Sequence, residues 1–180
     1  LSPWMQKLPG GLIHVNVVGC ALFAAISGSS AATVATVGKM SIPELRKRKY
    51  PEKILLGSLA GSGTLGLLIP PSIILIIYGV TVQESIAKLF IAGIIPGIMI
   101  ALIFMSYVII WSLINKKSMP KYVENFSFLE KIKKSKQLLP VIILISAVIG
   151  SIYTGVATAT EAASLGVVGA LILSYFQKSL

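Results

Sequence analysis

An apolar stretch over 54–79 is long enough to cross a membrane, but its middle is poorly suited to a continuous helix. Glycine, serine and threonine residues between Gly61 and Gly66 weaken helical structure, and the pair Pro70–Pro71 cannot donate backbone hydrogen bonds. In hydrocarbon an unmade backbone hydrogen bond costs several kcal/mol, so a break survives only where protein or a water-filled cavity covers it. A spanning helix that is interrupted near mid-depth therefore indicates a transport site.

The composition places the chain among helical membrane proteins. Of its 180 residues 55% are hydrophobic and only 12% are charged, and the mean hydropathy is +0.88. These values exclude an ordinary soluble domain. The chain has no aspartate, one histidine and one cysteine, so metal clusters, Ser/His/Asp catalysis and an internal disulfide lack the residues they need. The composition thus argues against an enzyme. Because the chain starts without methionine or a signal-peptide pattern, we expect it to be part of a longer protein.

The net charge of +10 is concentrated in two short segments. Five of the sixteen basic residues lie in 44–53, and seven lie between Lys116 and Lys136. They are not interleaved with aromatic side chains in the manner of nucleic-acid-binding proteins, which argues against nucleic acid as a partner. Two apolar spans separate the segments, so both fit the cytoplasmic side of a membrane, with 80–85 and 154–160 on the outside.

The second half of the chain predicts three transmembrane helices and a basic linker. One helix is predicted over 86–114. The next apolar block has 39 residues, which is too long for one span, and it predicts two helices over 138–153 and 159–176. In the linker 115–137, the capping sequence Ser127-Phe-Leu-Glu130 predicts a short amphipathic helix, which is either interfacial or solvated.

The first segment, 1–43, is apolar from Gly10 onward but is interrupted at 27–30 by serine and glycine. Its two arms, 11–26 and 31–42, are each too short to cross ~30 Å of hydrocarbon comfortably. The pattern therefore favours a re-entrant hairpin with its tip at 27–30. A single tilted and kinked span that carries small packing residues is the alternative.

Two polar breaks containing glycine thus fall in apolar surroundings. Unwound backbone and Ser/Thr hydroxyls offer uncharged oxygen ligands that suit Na⁺, and helix N-termini at a break suit an anion. Small residues that serve only helix packing are the alternative explanation for each break. The candidate ion- and substrate-binding residues are Ser27, Gly28, Ser29, Ser30, Thr33, Gly61, Ser62, Gly63 and Thr64. The candidate Na⁺ ligands among them are Ser29, Ser30, Gly61 and Gly63. The residues expected to keep the helix broken are Pro70 and Pro71.

Three further polar side chains have simpler structural explanations. The sequence Thr158-Ala-Thr-Glu161 is a capping box, which accounts for Glu161 better than a proton relay does. We expect Lys39 to extend to the membrane interface and His14 to be a packed or interfacial residue.

Several segments carry a recognisable family pattern. They are Gly10-Gly-Leu-Ile-His-Val-Asn-Val-Val, Leu22-Phe-Ala-Ala-Ile-Ser-Gly-Ser-Ser-Ala-Ala-Thr, Leu68-Ile-Pro-Pro-Ser-Ile, Ile77-Tyr-Gly-Val and Leu89-Phe-Ile-Ala-Gly-Ile-Ile-Pro-Gly. Together they resemble the large membrane subunit of tripartite ATP-independent periplasmic (TRAP) transporters. The segment from Tyr153 to Ala163 is similar to that family's Gly-x-(Phe/Tyr)-Thr-Pro-Thr-Glu-Ala-Ala stretch, but Gly-Val-Ala follows Thr154 where the family has proline.

The resemblance implies Na⁺-coupled uptake of organic acid anions, of the C4-dicarboxylate or acidic sugar type, across the bacterial inner membrane. It implies a small membrane subunit and a periplasmic substrate-binding protein as partners, and no cofactor besides the coupling ion. It also implies an all-α polytopic fold of the elevator type, in which two inverted repeats each hold a re-entrant hairpin and a broken helix. The family protein is longer, so this chain would hold one repeat and half of the site. A related ion-coupled anion transporter without a binding protein, and a channel or structural membrane subunit, are the alternatives.

Overall fold

A computed structural model describes residues 2–120 and 139–176, which contain helices and turns and no strand. The predicted all-α fold is therefore confirmed for this part of the chain. The capping box Ser127–Glu130 and the amphipathic helix predicted around it lie outside the described residues. The α-helices are α1 (Ser2–Met5), α2 (Ile13–Ser27), α3 (Ser30–Lys47), α4 (Glu52–Gly63), α5 (Ile73–Val82), α6 (Ile86–Ile114), α7 (Leu139–Tyr153) and α8 (Ala159–Phe176).

The first apolar block folds back on itself as a helical hairpin. Only Gly28 and Ser29 separate α2 from α3, and the two helices pack against each other. Gly28 ends α2 in the left-handed region with φ of +59°, which glycine adopts without steric cost. The hydroxyl of Ser29 then caps α3 by accepting a hydrogen bond from the N–H of Ala32 at 3.4 Å. Gly28 and Ser29 therefore form the hairpin tip, within the predicted range 27–30.

The second arm of the hairpin is longer than predicted. Helix α3 continues through Pro43 to Lys47, and α4 begins at Glu52, so much of the loop predicted over 44–53 is helical. Leu45 is buried against the neighbouring helices, and the Glu44 carboxylate accepts a hydrogen bond from Arg48 Nε at 2.6 Å. Packing and this i,i+4 ion pair stabilise the helix beyond the point where its sequence turns polar.

The break in the second apolar block lies later than predicted. Gly61, Ser62 and Gly63 belong to α4, while Thr64–Leu67 form one 3₁₀ turn and α5 starts only at Ile73. The unwound segment predicted at Gly61–Thr64 is therefore wrong for its first three residues. A glycine costs a helix only about 1 kcal/mol, whereas proline removes a hydrogen bond to the carbonyl four residues earlier.

A serine compensates for one of the donors that the prolines lack. In a continuous helix the N–H of residue 71 would bind the carbonyl of Leu67, but Pro71 has no N–H. The Ser72 hydroxyl donates to that carbonyl at 2.6 Å instead, and Ser72 is fully buried. The break is thus a defined, internally bonded structure and not a frayed helix end.

Helix α6 matches the range predicted for it, 86–114. It has a mean hydropathy of 2.5 over its most apolar window, only 17% of which is buried, and among the described residues it alone is long and apolar enough to cross a membrane. Four shorter apolar helices lie around it: Ile13–Ser27, Ile73–Val82, Ile142–Tyr153 and Ala159–Tyr175.

Three apolar clusters hold the described helices together, and one of them joins the middle of the hairpin to α4 through Cys20, Val37 and Leu59. A second joins α2, α3, α4 and α6 and is built on Leu12, Ile13, Leu45, Tyr50, Ile54, Leu55 and Val108. The third joins the start of α6 to α7 and α8 through Phe90, Ile152 and Ala162. The hairpin is therefore packed against α4 and α6 at its open end and against α4 in its middle, and this packing sets the position of its tip.

The simpler structural explanations for His14 and Glu161 are confirmed. His14 is fully buried, and its Nε2 donates to the carbonyl of Pro9 at 2.8 Å. The Glu161 carboxylate accepts from the N–H of Thr158 at 2.8 Å, and the Thr158 hydroxyl accepts from the N–H of Glu161 at 3.4 Å, which completes the capping box. Lys39 is exposed, and its extension to the interface remains a prediction.

Candidate ion and substrate site at the hairpin tip

The hairpin tip is docked onto the break in the second apolar block. The carbonyl of Gly28 accepts a hydrogen bond from the N–H of Ile73, the first residue of α5, at 3.3 Å. A Cβ added at Gly28 would lie 2.6 Å from the carbonyl oxygen of Pro71. The tip therefore contacts the segment that follows the prolines directly, backbone against backbone.

Two glycines on the α4 side of the break allow an equally close approach. A Cβ added at Gly66 would lie 2.8 Å from both the carbonyl carbon of Ser29 and the nitrogen of Ser30. One added at Gly63 would overlap the side chain of Val34 and lie 3.8 Å from the carbonyl oxygen of Ser30. The backbone of 29–30 thus rests on Gly66 at a separation that only glycine permits, whereas at Gly63 the space is limited by the side chain of Val34.

The hydroxyl groups of Ser27 and Thr33 form hydrogen bonds within the hairpin that stabilise its tip. Thr33 is fully buried, and its hydroxyl donates to the carbonyl of Ser29 at 2.7 Å. The Ser27 hydroxyl lies 3.0 Å from the Thr33 hydroxyl and donates to the Ser29 carbonyl at 3.3 Å. Ser27 and Thr33 therefore hold the turn in shape and concentrate oxygen atoms around it.

The remaining predicted residues lie away from the tip. The Cα of Gly61 faces Phe104 of α6, and Ser62 is fully buried with its hydroxyl donating to the carbonyl of Ser58. Thr64 is exposed, and its hydroxyl donates to the carbonyl of Gly61 at 2.7 Å. Of the four candidates on this segment, Gly63 is the one that the structure brings to the hairpin tip.

Three residues with structural roles are missing from the candidate binding residues predicted from the sequence. Gly66 and Ser72 shape the break, and Asn16, near the start of α2 and away from the tip, fastens α2 to α4. Asn16 is fully buried, and its Nδ2 donates to the carbonyl of Leu55 at 3.2 Å and to the Ser58 hydroxyl at 3.0 Å. A carboxamide inside an apolar helix is a signal that could have identified Asn16.

Helix termini of opposite polarity meet at the tip. Helices α3 and α5 both begin there, at Ser30 and Ile73, and α4 ends there at Gly63. The N-termini carry partly positive N–H groups, and at the end of α4 the carbonyls of Gly61 and Ser62 accept hydrogen bonds from the N–H of Thr64 in the 3₁₀ turn. Among the described residues no group of three or more His, Cys, Asp or Glu side chains could hold a metal ion. The arrangement suits a hard monovalent cation beside an organic anion.

A predominantly apolar helical protein with a hairpin docked on a broken helix has the construction of a secondary membrane transporter. The chain belongs to the family described as the tripartite ATP-independent periplasmic transporter, DctM component, whose sequence model matches residues 5–180. This confirms the family predicted from the sequence motifs.

Similar proteins come from several bacteria. The C4-dicarboxylate TRAP transporter large permease protein DctM of Pseudomonas aeruginosa is 39% identical over 93% of this chain and 38% of its own length. The ectoine/5-hydroxyectoine large permease protein UehC of Ruegeria pomeroyi is 38% identical over 94% of this chain and 39% of its own. The sialic acid TRAP transporter permease protein SiaT of Haemophilus influenzae is 37% identical over 93% of this chain and 27% of its own length. The chain therefore spans less than half the length of these relatives, all of which are named as permease proteins.

Proposed function

We propose that this chain forms one repeat of the transport subunit of a Na⁺-coupled TRAP transporter, which imports an organic acid anion across the bacterial inner membrane. The observation that carries the proposal is the docking of the hairpin tip on the helix break, through the Gly28–Ile73 hydrogen bond and the approach of Gly66 to Ser29. A structural scaffold would not need a polar break in an apolar helix, and a channel would need a continuous polar face.

Na⁺ would bind between the hairpin tip and the end of α4. Its ligands would be uncharged oxygens of Ser29, Ser30 and Gly63, and a Cβ added at Gly63 would lie 3.8 Å from the Ser30 carbonyl oxygen. The Ser29 carbonyl would bind the ion in exchange for the hydroxyls of Ser27 and Thr33 that it now accepts. The carbonyl of Gly61, the fourth candidate, already accepts the hydroxyl and the N–H of Thr64 and would have to exchange one of them for the ion. Uncharged carbonyl and hydroxyl oxygens are the ligands that unwound helices supply to Na⁺ in secondary transporters.

The anion would lie against the N-termini of α3 and α5. Both present N–H groups at the tip, and the partly positive end of a helix favours a carboxylate. Relatives are named for C4-dicarboxylates and for sialic acid, which is the basis for proposing a carboxylate-bearing substrate. Ser27, Thr33, Ser62 and Thr64 would support the backbone and would not bind the substrate, because their hydroxyls are engaged locally.

The hairpin would be re-entrant, with its tip near mid-membrane, and the protein would be multi-pass. The basic segments around Lys47 and Lys116 would face the cytoplasm. The second repeat, a small membrane subunit and a periplasmic substrate-binding protein would complete the transporter, which would move as an elevator. The family membership supports these partners.

Uptake by the reconstituted full-length protein tests this proposal. With its small subunit and binding protein, we expect it to accumulate a radiolabelled organic acid in proteoliposomes under an inward Na⁺ gradient. An equal K⁺ gradient should give only the background of empty liposomes. Uptake that needs Na⁺ but not the binding protein would favour the related transporter type, and downhill flux without any ion gradient would favour a channel.

A further inference from the structure

The two basic segments of the chain converge at one end of the molecule. Tyr50, between Lys49 and Lys53, is buried in the cluster that joins α2, α3, α4 and α6. Trp111, near the end of α6, and Met119, just after Lys117, pack against the same cluster. Segments that lie more than 60 residues apart in the sequence therefore share one end of the structure.

Glu44 and Glu52 are the acidic residues that the structure describes in these two segments, and both are paired. Arg46 Nε lies 2.9 Å from the Glu52 carboxylate, and Arg48 Nε lies 2.6 Å from the Glu44 carboxylate. Five exposed lysines lie in the described parts of the same two segments, and none of them forms an ion pair with another described residue. These five form the lysine patch: Lys47, Lys49, Lys53, Lys116 and Lys117.

An exposed apolar surface adjoins the lysine patch. In the last turns of α6, immediately before Lys116, the side chains of Ile110 and Ile114 are 58% and 76% exposed. Trp111 lies between them in the sequence, at the end of the helix where aromatic side chains of membrane proteins commonly meet the headgroups. The lysine patch therefore follows directly on the apolar end of α6, which the hydrocarbon of a bilayer would cover.

We propose that the lysine patch is a binding site for the headgroup of an anionic phospholipid, whose acyl chains lie along the end of α6. Each part of the lipid has a matching surface on the protein. The ammonium groups of the lysine patch, which come from two separate segments, can bind the phosphate, and the exposed isoleucines of α6 can contact the acyl chains. A free anion would match only the first of these surfaces. The site is separate from the hairpin tip and does not depend on which ion or substrate is transported.

Lipid selectivity of the full-length protein in bilayers tests this inference. Spin-labelled phosphatidylglycerol and spin-labelled phosphatidylcholine report the relative association constant through their motionally restricted fractions. The double variants Lys47→Gln/Lys49→Gln and Lys116→Gln/Lys117→Gln should each lower the preference for phosphatidylglycerol at least about fivefold. The matched double variant Lys39→Gln/Lys88→Gln removes the same charge outside the patch and should leave the preference unchanged.

Three outcomes would overturn the inference. If neither patch variant changes the preference, the lysines bind no headgroup. If the control pair lowers it as much as the patch pairs do, overall charge and not a site is responsible. If inorganic phosphate abolishes the preference while chloride at the same ionic strength does not, the patch is a free-anion site.

Discussion

Replacing Gly66 by alanine should reduce Na⁺-driven uptake by the full-length transporter at least about fivefold, since overpacking costs ~1–3 kcal/mol and 1.4 kcal/mol is a factor of ten. The added Cβ would lie 2.8 Å from backbone atoms of Ser29 and Ser30. Backbone atoms cannot move aside as the end of a flexible side chain can, so the hairpin tip has to retreat from the break. The initial uptake rate in proteoliposomes, at equal amounts of inserted protein, measures the effect.

The matched control is Gly57→Ala in α4, the helix that precedes the break. A Cβ added at Gly57 would meet no atom within 4 Å, so this variant should transport at the wild-type rate. It should also be slightly more stable, by roughly 0.5–1 kcal/mol, because alanine is the better helix former. Normal uptake by the Gly66→Ala protein would show that the close approach of tip and break does not matter for transport.

Replacing both Pro70 and Pro71 by alanine should leave the protein at least as stable but largely inactive. The new N–H groups at these positions could bond to the carbonyls of Gly66 and Leu67, and each such bond contributes about 1 kcal/mol net. Helix α4 would then extend through the break, and the N-terminus of α5 that meets Gly28 would be lost. Thermal unfolding and uptake rate, measured on the same preparations, separate the two effects.

A proline outside the site provides the comparison for this variant. Pro43 lies inside α3 and is exposed, and Pro43→Ala likewise restores a helical donor. It should raise stability without reducing uptake. If the double variant at 70 and 71 transports at the wild-type rate, the break is a feature of packing alone, and the proposed role of the hairpin tip is wrong.

Elements with strong local signals could be predicted closely from the sequence. Helix α6 has a largely uninterrupted apolar run, which is the basis for its predicted limits, and in the structure the Ser85 hydroxyl caps its start by accepting from the N–H of Lys88 at 3.4 Å. The capping box at Glu161 is equally local. The extension of α3 to Lys47 was not predictable in this way, because it depends on the burial of Leu45 against other helices.

The candidate site was predictable in outline but not in detail. The hairpin tip and a break near the prolines followed from residue types, yet the glycine-rich run at Gly61–Gly63 proved helical. Successive helical residues point about 100° apart, so only contacts with other helices decide which glycine meets the tip. Gly63 and Gly66 meet it, whereas Gly61 faces Phe104.

Na⁺ binding to the purified full-length protein tests the central claim most directly, because a ligand that binds the folded state raises its melting temperature. We expect Na⁺, but not K⁺ or choline at the same ionic strength, to raise it. Ser30→Ala should shift the half-maximal Na⁺ concentration upward about tenfold, since a hydroxyl on a charged partner is worth ~1.5–3 kcal/mol. Ser106→Ala, on the exposed face of α6, should leave that concentration unchanged. A wild-type Na⁺ response in both Ser30→Ala and Gly66→Ala, or no response to Na⁺ at all, would contradict a Na⁺ site at the hairpin tip.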